Sequence, residues 1–121
     1  PMNLRRRSLL SLIVLVLAVS AGSEWWYGRE QSRLAAQIAS ASGPGDIEML
    51  SSQTCVYCDR ARAWFGAHKV PVNECVIETD ARCAERFASL RSLGTPVLVV
   101  RGQVQQGFDP ELIARALARQ G

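Results

Sequence analysis

Ile47-Glu48-Met49-Leu50-Ser51-Ser52-Gln53-Thr54-Cys55-Val56-Tyr57-Cys58 is a mostly apolar tetrad, a polar turn and two cysteines separated by a pair of residues. The tetrad reads as a short strand. The residues from Cys55 to Ala67 read as a helix, with Ala61, Trp64, Phe65 and His68 at helical spacing. The cysteine pair therefore stands where a strand hands over to a helix. Unpaired backbone N–H groups at a helix start stabilise a thiolate. The reading places Cys55 at an exposed tip, free to attack, and Cys58 one turn inward. There Cys58 can attack a mixed disulfide formed on Cys55 and close a small ring that reopens. Asp59 opposes thiolate formation and Arg60 favours it. A structural disulfide at this place would be an odd staple. A zinc site using all four cysteines would have spacings of C-x2-C-x16-C-x7-C, and the last gap does not suit a second zinc knuckle.

Downstream, Val70 to Ile77 reads as a second strand opening around Pro71, and Thr79 or Asp80 caps a helix running through Leu93. Gly94-Thr95-Pro96 is a turn, and Val97-Leu98-Val99-Val100 is a buried strand by composition. Arg101-Gly102-Gln103 turns tightly into Val104-Gln105-Gln106. Asp109 caps a last helix with Pro110 at its first position and Leu112, Ile113, Ala116 and Leu117 facing inward. The order is β-α-β-α-β-β-α. The first two strands, joined by a helix, imply a parallel right-handed unit, and the last two an antiparallel hairpin. One four-stranded mixed sheet with helices on its faces satisfies both, an α/β fold.

Upstream, Ser42-Gly43-Pro44-Gly45 breaks the chain as a linker. Residues 29–45 read as a stalk helix and linker, Ala-rich and without a strong apolar face. The compact domain is then 46–121, only ~75 residues, small enough that a staple would help its core. Residues 1–28 read as a signal anchor. Arg5-Arg6-Arg7 precede Leu9 to Val19, apolar except for Ser11, and such a run after a basic cluster marks a secretory signal or an N-terminal anchor. Pro1 before Met2 points to Met2 as the start. Leu9 to Tyr27 spans about 28 Å as a helix, and Trp25-Trp26-Tyr27 suit a membrane interface. Val19-Ser20-Ala21 offers a small-residue cleavage site instead. The anchor is the favoured ending and cleavage the alternative. The arginines stay cytoplasmic, which sends the domain across the membrane.

The charge balance excludes a nucleic-acid partner. The formal charge is +3, and Arg5, Arg6 and Arg7 carry it; the other 11 basic residues face 11 acidic ones. A neutral body has no electrostatic footprint for a phosphate backbone.

The CxxC at a strand-to-helix junction, with Thr95-Pro96 before a buried strand, resembles the thioredoxin superfamily. The resemblance implies a thioredoxin-like fold over roughly Asp46 to Arg119. It also implies a cis Pro96 facing the cysteines, with the Thr95 backbone offered as an edge for substrate pairing. Cys55-Val56-Tyr57-Cys58-Asp59-Arg60-Ala61 is similar to the glutaredoxin active-site helix, with Val56 where proline is usual. Gln106-Gly107-Phe108-Asp109 resembles the glycine turn before the last glutaredoxin helix. Gly94-Thr95-Pro96 and Gly107-Phe108-Asp109-Pro110 are also similar to periplasmic disulfide isomerases, whose helical insertion has no counterpart here. Ser52 stands where glutaredoxins usually carry a lysine for the glutathione carboxylate, and Gln106-Gly107 where they carry two glycines.

What the resemblance implies is a thiol–disulfide oxidoreductase acting on protein disulfides, with Cys55 as nucleophile, Cys58 resolving, and Tyr57, Thr95 and Pro96 against the substrate. A glutathione-dependent reductase, with glutathione as co-substrate, is one alternative. A non-catalytic metal-binding or delivery module is another. No metal and no resident cofactor are expected. The expected partners are disulfide-containing exported proteins and a membrane or soluble electron donor. The expected place is the bacterial inner membrane, single pass, with the domain periplasmic, or the periplasm itself after cleavage. Cys75 ends the second strand and Cys83 opens the following helix, so the two can approach. A stabilising disulfide suits an oxidising compartment; a second redox pair relaying electrons to Cys55 and Cys58 is the alternative. His68, at a helix end, reads as a dipole partner, and Trp64 and Phe65 as core. Arg60 and Arg62 read as a solvated face.

Overall fold

The computed structural model describes residues 3–119, so the start expected at Met2 lies outside them. Its elements are α1 (Leu4–Ala41), β1 (Ile47–Ser51), α2 (Val56–Ala67), β2 (Asn73–Val76), α3 (Ala81–Ser89), β3 (Val97–Val100), β4 (Gln103–Gln106) and α4 (Pro110–Arg119). From β1 onward the order is the β-α-β-α-β-β-α read from the sequence. The strands form one mixed sheet in the order β2-β1-β3-β4. β1 pairs parallel with β2 and antiparallel with β3, and β3 pairs antiparallel with β4.

Strand alternation sorts the apolar side chains between two faces. Ile47 and Met49 of β1 and Leu98 and Val100 of β3 join a core with Ala61 and Phe65 of α2 and Ile113, Ala116 and Leu117 of α4. Leu50 and Val97 point the other way and meet Cys83, Phe87 and Leu90 in and after α3. Helices thus cover both faces, and β1 and β3 are central.

The chain divides into two compact units, one ending at Arg33 and one beginning at Leu34. In the first, α1 is long and apolar enough to cross a membrane, by length and composition. The side chains of Leu9, Leu10, Leu12 to Leu17, Val19 and Trp25 to Tyr27 are exposed.

The second unit begins before the expected boundary at Asp46. Ala35 and Ile38 are buried, and Leu34 and Ala39 pack against the same core. The last turns of α1 are therefore part of the domain's packing rather than a free stalk. An Ala-rich face can press close to a neighbouring element, although its apolar signal in the sequence is faint. Arg101 secures this end. Its guanidinium donates to the carbonyls of Ala41 at 2.8 Å and Leu117 at 3.1 Å, and lies 3.4 Å from the Asp46 carboxylate. Its backbone N–H donates to the Asp46 carbonyl at 2.8 Å. The Gly43 N–H, then Arg101, hold the Asp46 carboxyl below its ordinary value.

The bounds of β2 and α3, and the inward face of α4, differ from the sequence reading. β2 starts at Asn73, not Val70. The Val70 N–H donates to Phe65 at 3.0 Å, closing the end of α2, and Pro71 has no N–H to give a ladder. α3 is capped by Asp80, whose carboxylate accepts the Arg82 N–H at 2.9 Å. It ends at Ser89 because Arg91 takes a left-handed φ of 51° and turns the chain, leaving Leu93 outside the helix. In α4, Leu112 is exposed while Ile113, Ala114, Ala116 and Leu117 are buried. At 100° per residue those four share one stripe, and Leu112 falls beyond its edge. The β3–β4 turn has positive φ at both Arg101 (47°) and Gly102 (86°), the geometry that a two-residue primed hairpin turn requires.

Candidate active site

Cys55 is the N-cap of α2. Its backbone is extended (φ −131°, ψ 108°), and its sulfur accepts the N–H of Cys58 at 3.1 Å. Serine, threonine or aspartate usually fills that role, satisfying one of the orphan donors at a helix start. A sulfur in the same place receives the same donor, which favours its anionic form. Cys55 and Cys58 are joined as a disulfide with their Cα atoms 5.2 Å apart.

Cys55 is not the exposed tip expected from its position. The residue is only 9% exposed, and Cys58 is fully buried. One cover is the loop before β3, for the Cys55 Sγ lies 3.4 Å from the Thr95 carbonyl oxygen. The exposed residues here are the two between the cysteines: Val56 and Tyr57 are about two-thirds exposed, at 64% and 65%. The Arg60 guanidinium lies 5.6 Å from the centroid of the Tyr57 ring. Asp59 is bound to Arg62 at 2.8 Å, which offsets the negative charge it brings to the helix start.

The Thr95–Pro96 peptide is cis. Pro96 is buried, and its carbonyl accepts the Gly107 N–H at 2.9 Å. Gly107 has φ 81°, a conformation glycine adopts without penalty. Gln106 supports the same loop, donating to the Gly94 carbonyl at 2.8 Å and contacting the Ser92 hydroxyl. Nothing in the sequence marked Gln106 for this task. Phe108 packs its ring against Trp64 and Phe65, with centroids 5.5 Å and 5.3 Å away. Trp64 and Phe65 thus lie with the core, as expected. His68 sits at the end of α2 with its ring 4.7 Å from that of Trp64.

Beneath α2, the buried Ser51 hydroxyl donates to Glu74 at 2.7 Å, and Arg62 of α2 donates to both oxygens of that carboxylate. Arg62, then Ser51, hold Glu74 below its ordinary value against the opposing effect of burial. Arg62 is therefore a bridge between helix and edge strand and not a free surface charge. Cys75, next to Glu74, forms a disulfide with Cys83, Cα atoms 5.5 Å apart. The loop before Cys55 is held separately: the Ser52 hydroxyl and the Gln53 N–H both donate to the Glu78 carboxylate. Sequence reasoning missed Glu78, because the contact spans two loops and leaves no local pattern. Among the described residues no group of three or more His, Cys, Asp or Glu side chains could hold a metal ion.

A glutaredoxin family model matches residues 47–105, from β1 to β4. The crystal structure of a point variant of the thioredoxin-like protein BC3987 is similar at 25% identity and a TM-score of 0.55, covering 61% of this chain and 96% of that one. The domain is glutaredoxin-like, within the thioredoxin superfamily. The unsubstituted BC3987 gives 25% identity and a TM-score of 0.51 over 58% of this chain and 97% of its own. No curated protein matches the chain at a significant level. The glutaredoxin-like domain carries its CxxC pair at disulfide distance, an arrangement suited to thiol redox chemistry.

Proposed function

We propose that the protein is a thiol–disulfide oxidoreductase that exchanges electron pairs with protein disulfides through Cys55 and Cys58. The observation that carries this reading is the Cys55 sulfur capping a helix start, bonded to Cys58 and 3.4 Å from the Thr95 carbonyl. In the reduced protein, Cys55 as thiolate attacks one sulfur of a target disulfide. The target S–S bond breaks, and its departing sulfur takes up a proton. Cys58 then gives up its proton and attacks the Cys55 sulfur. The second target sulfur leaves and is protonated. The target gains two electrons and two protons, and the Cys55–Cys58 disulfide remains. An external thiol or dithiol restores the reduced pair, and a target dithiol can drive the same steps in reverse. The sulfurs carry the electron pair, so no resident cofactor is required.

In this reading Tyr57 offers an exposed ring to the bound chain, while Thr95 and Pro96 position it. The Cys75–Cys83 disulfide stabilises the small domain. The N-terminal helix anchors the protein in the bacterial inner membrane, with the domain in the periplasm, where exported proteins supply the disulfides and a membrane or soluble donor supplies electrons. Glutathione as co-substrate is the second reading, favoured by the match to the glutaredoxin model.

The test is trapping. Cys58→Ala in the full chain should accumulate covalent adducts with target proteins that dithiothreitol releases, and Cys55→Ala should give none. If Cys58→Ala gives no adduct while Cys55 still alkylates, the resolving role is lost.

A further inference from the structure

The short loop that delivers Cys55 to its helix is gripped by the loop after the neighbouring strand β2. The Ser52 hydroxyl donates to one oxygen of the Glu78 carboxylate, and the Gln53 N–H donates to the other at 3.1 Å. Glu78 lies between β2 and α3, where the Ile77 N–H also donates to the Ser51 carbonyl at 2.9 Å. The Cys75–Cys83 disulfide closes this segment at both ends. The carboxylate is thus fixed rather than swinging in solvent. The Ser52 hydroxyl, then the Gln53 N–H, hold it below its ordinary value, so it is ionised at neutral pH. Gln53 and Cys55 are two residues apart along the chain, which puts their Cα atoms within about 7 Å.

The other charges around the motif differ in kind. Asp59 is paired with Arg62, and Arg62 with Glu74. Arg60 lies over the Tyr57 ring on the helix side of the sulfurs. Val56, Tyr57 and Leu93 are exposed, and they offer contact area without preference of sign. On the loop side, the anchored carboxylate lies against Ser52 and Gln53, just before Cys55 in the chain.

We infer that Glu78 is a specificity-determining residue of this site. It favours polypeptide disulfides with lysine or arginine beside the cysteine and disfavours anionic ones, glutathione disulfide among them. The inference rests on the reading of Cys55 and Cys58 as an exchanging dithiol. One unit charge facing another at about 8–10 Å in water changes an encounter by roughly twofold, and less as salt rises. Replacing a flanking lysine by glutamate therefore changes the contribution of Glu78 by about fourfold.

The test uses the full chain in detergent, reduced, and two synthetic peptides. Each peptide holds one internal disulfide, and they differ only in lysine or glutamate beside a cysteine. Single-turnover rate constants are measured at low salt and at high salt, with glutathione disulfide as a third substrate. The lysine-to-glutamate rate ratio should fall about fourfold in Glu78→Gln and by a similar factor again in Glu78→Lys, with both changes shrinking at high salt. The rate with glutathione disulfide should rise in both variants. If the variants slow both peptides equally and leave the ratio unchanged, Glu78 merely props the loop and the inference is overturned. If the wild-type protein reacts with none of the three, the dithiol reading itself fails, and this one with it.

Discussion

The backbone N–H of Cys58 points at the sulfur of Cys55 across 3.1 Å, while the side chain of Cys58 is closed off from solvent. The two sulfurs of one motif are therefore unequal. One has a donor and slight access, and the other has neither advantage. In the reduced protein, iodoacetamide should modify Cys55 at least tenfold faster than Cys58, read by mass spectrometry of the two alkylated sites. Equal rates would remove the assignment of distinct roles.

The Ile38 side chain is fully buried and lies in the main core, yet it comes from α1. Ile38→Ala should cost about 2–5 kcal/mol, the usual range for truncating a buried aliphatic side chain. Urea unfolding of the full chain checks it. A loss within a few tenths of a kcal/mol would mean that α1 adds nothing to the domain.

The Cys75–Cys83 disulfide closes a short loop. Loop-closure entropy for that length gives about 2–3 kcal/mol in the chain-entropy model. The double variant Cys75→Ser with Cys83→Ser should lower the urea midpoint accordingly and still turn over disulfides. Loss of turnover with the stability intact would favour the relay role instead.

Glu74 links Ser51 and Arg62, and its carboxyl is held below the ordinary value of 4.5. A depressed value stabilises the fold above the unfolded pKa, and the contribution disappears as pH falls through the folded one. The melting temperature should therefore be insensitive to this group near neutrality and drop below about pH 4.5. Glu74→Gln should be less stable at pH 7 and show a shallower acid decline. Parallel acid curves for variant and wild type would exclude Glu74 as a source.

The legible part of the fold is the part written in local pattern. Val97 to Val100 is an uninterrupted apolar run and became the central strand β3, and Ile47 to Leu50 became β1 beside it. The CxxC was legible because its spacing and its place before a helix are both local. Residues whose roles depend on distant partners were not. Arg101 reads as a turn residue, and only the folded chain brings Ala41, Asp46 and Leu117 to its guanidinium. Glu78 and Gln106 are unremarkable polar residues until two loops meet. Leu34, Ala35 and Ile38 read as helical but not as a buried face, because the surrounding alanines blur the apolar period that flags one. The shielding of Cys55 by the Thr95 loop is likewise a contact between residues forty positions apart.

Ala35 and Ile38 sit well downstream of Val19-Ser20-Ala21, the small-residue stretch at which the alternative reading places cleavage. Among the described residues, none upstream of that stretch contributes a side chain to the buried interior, so trimming there would leave the core whole. A soluble version for biochemistry should accordingly be cut upstream of Leu34. A version begun at Asp46 would leave a greasy scar on the surface where the last turns of that helix belong.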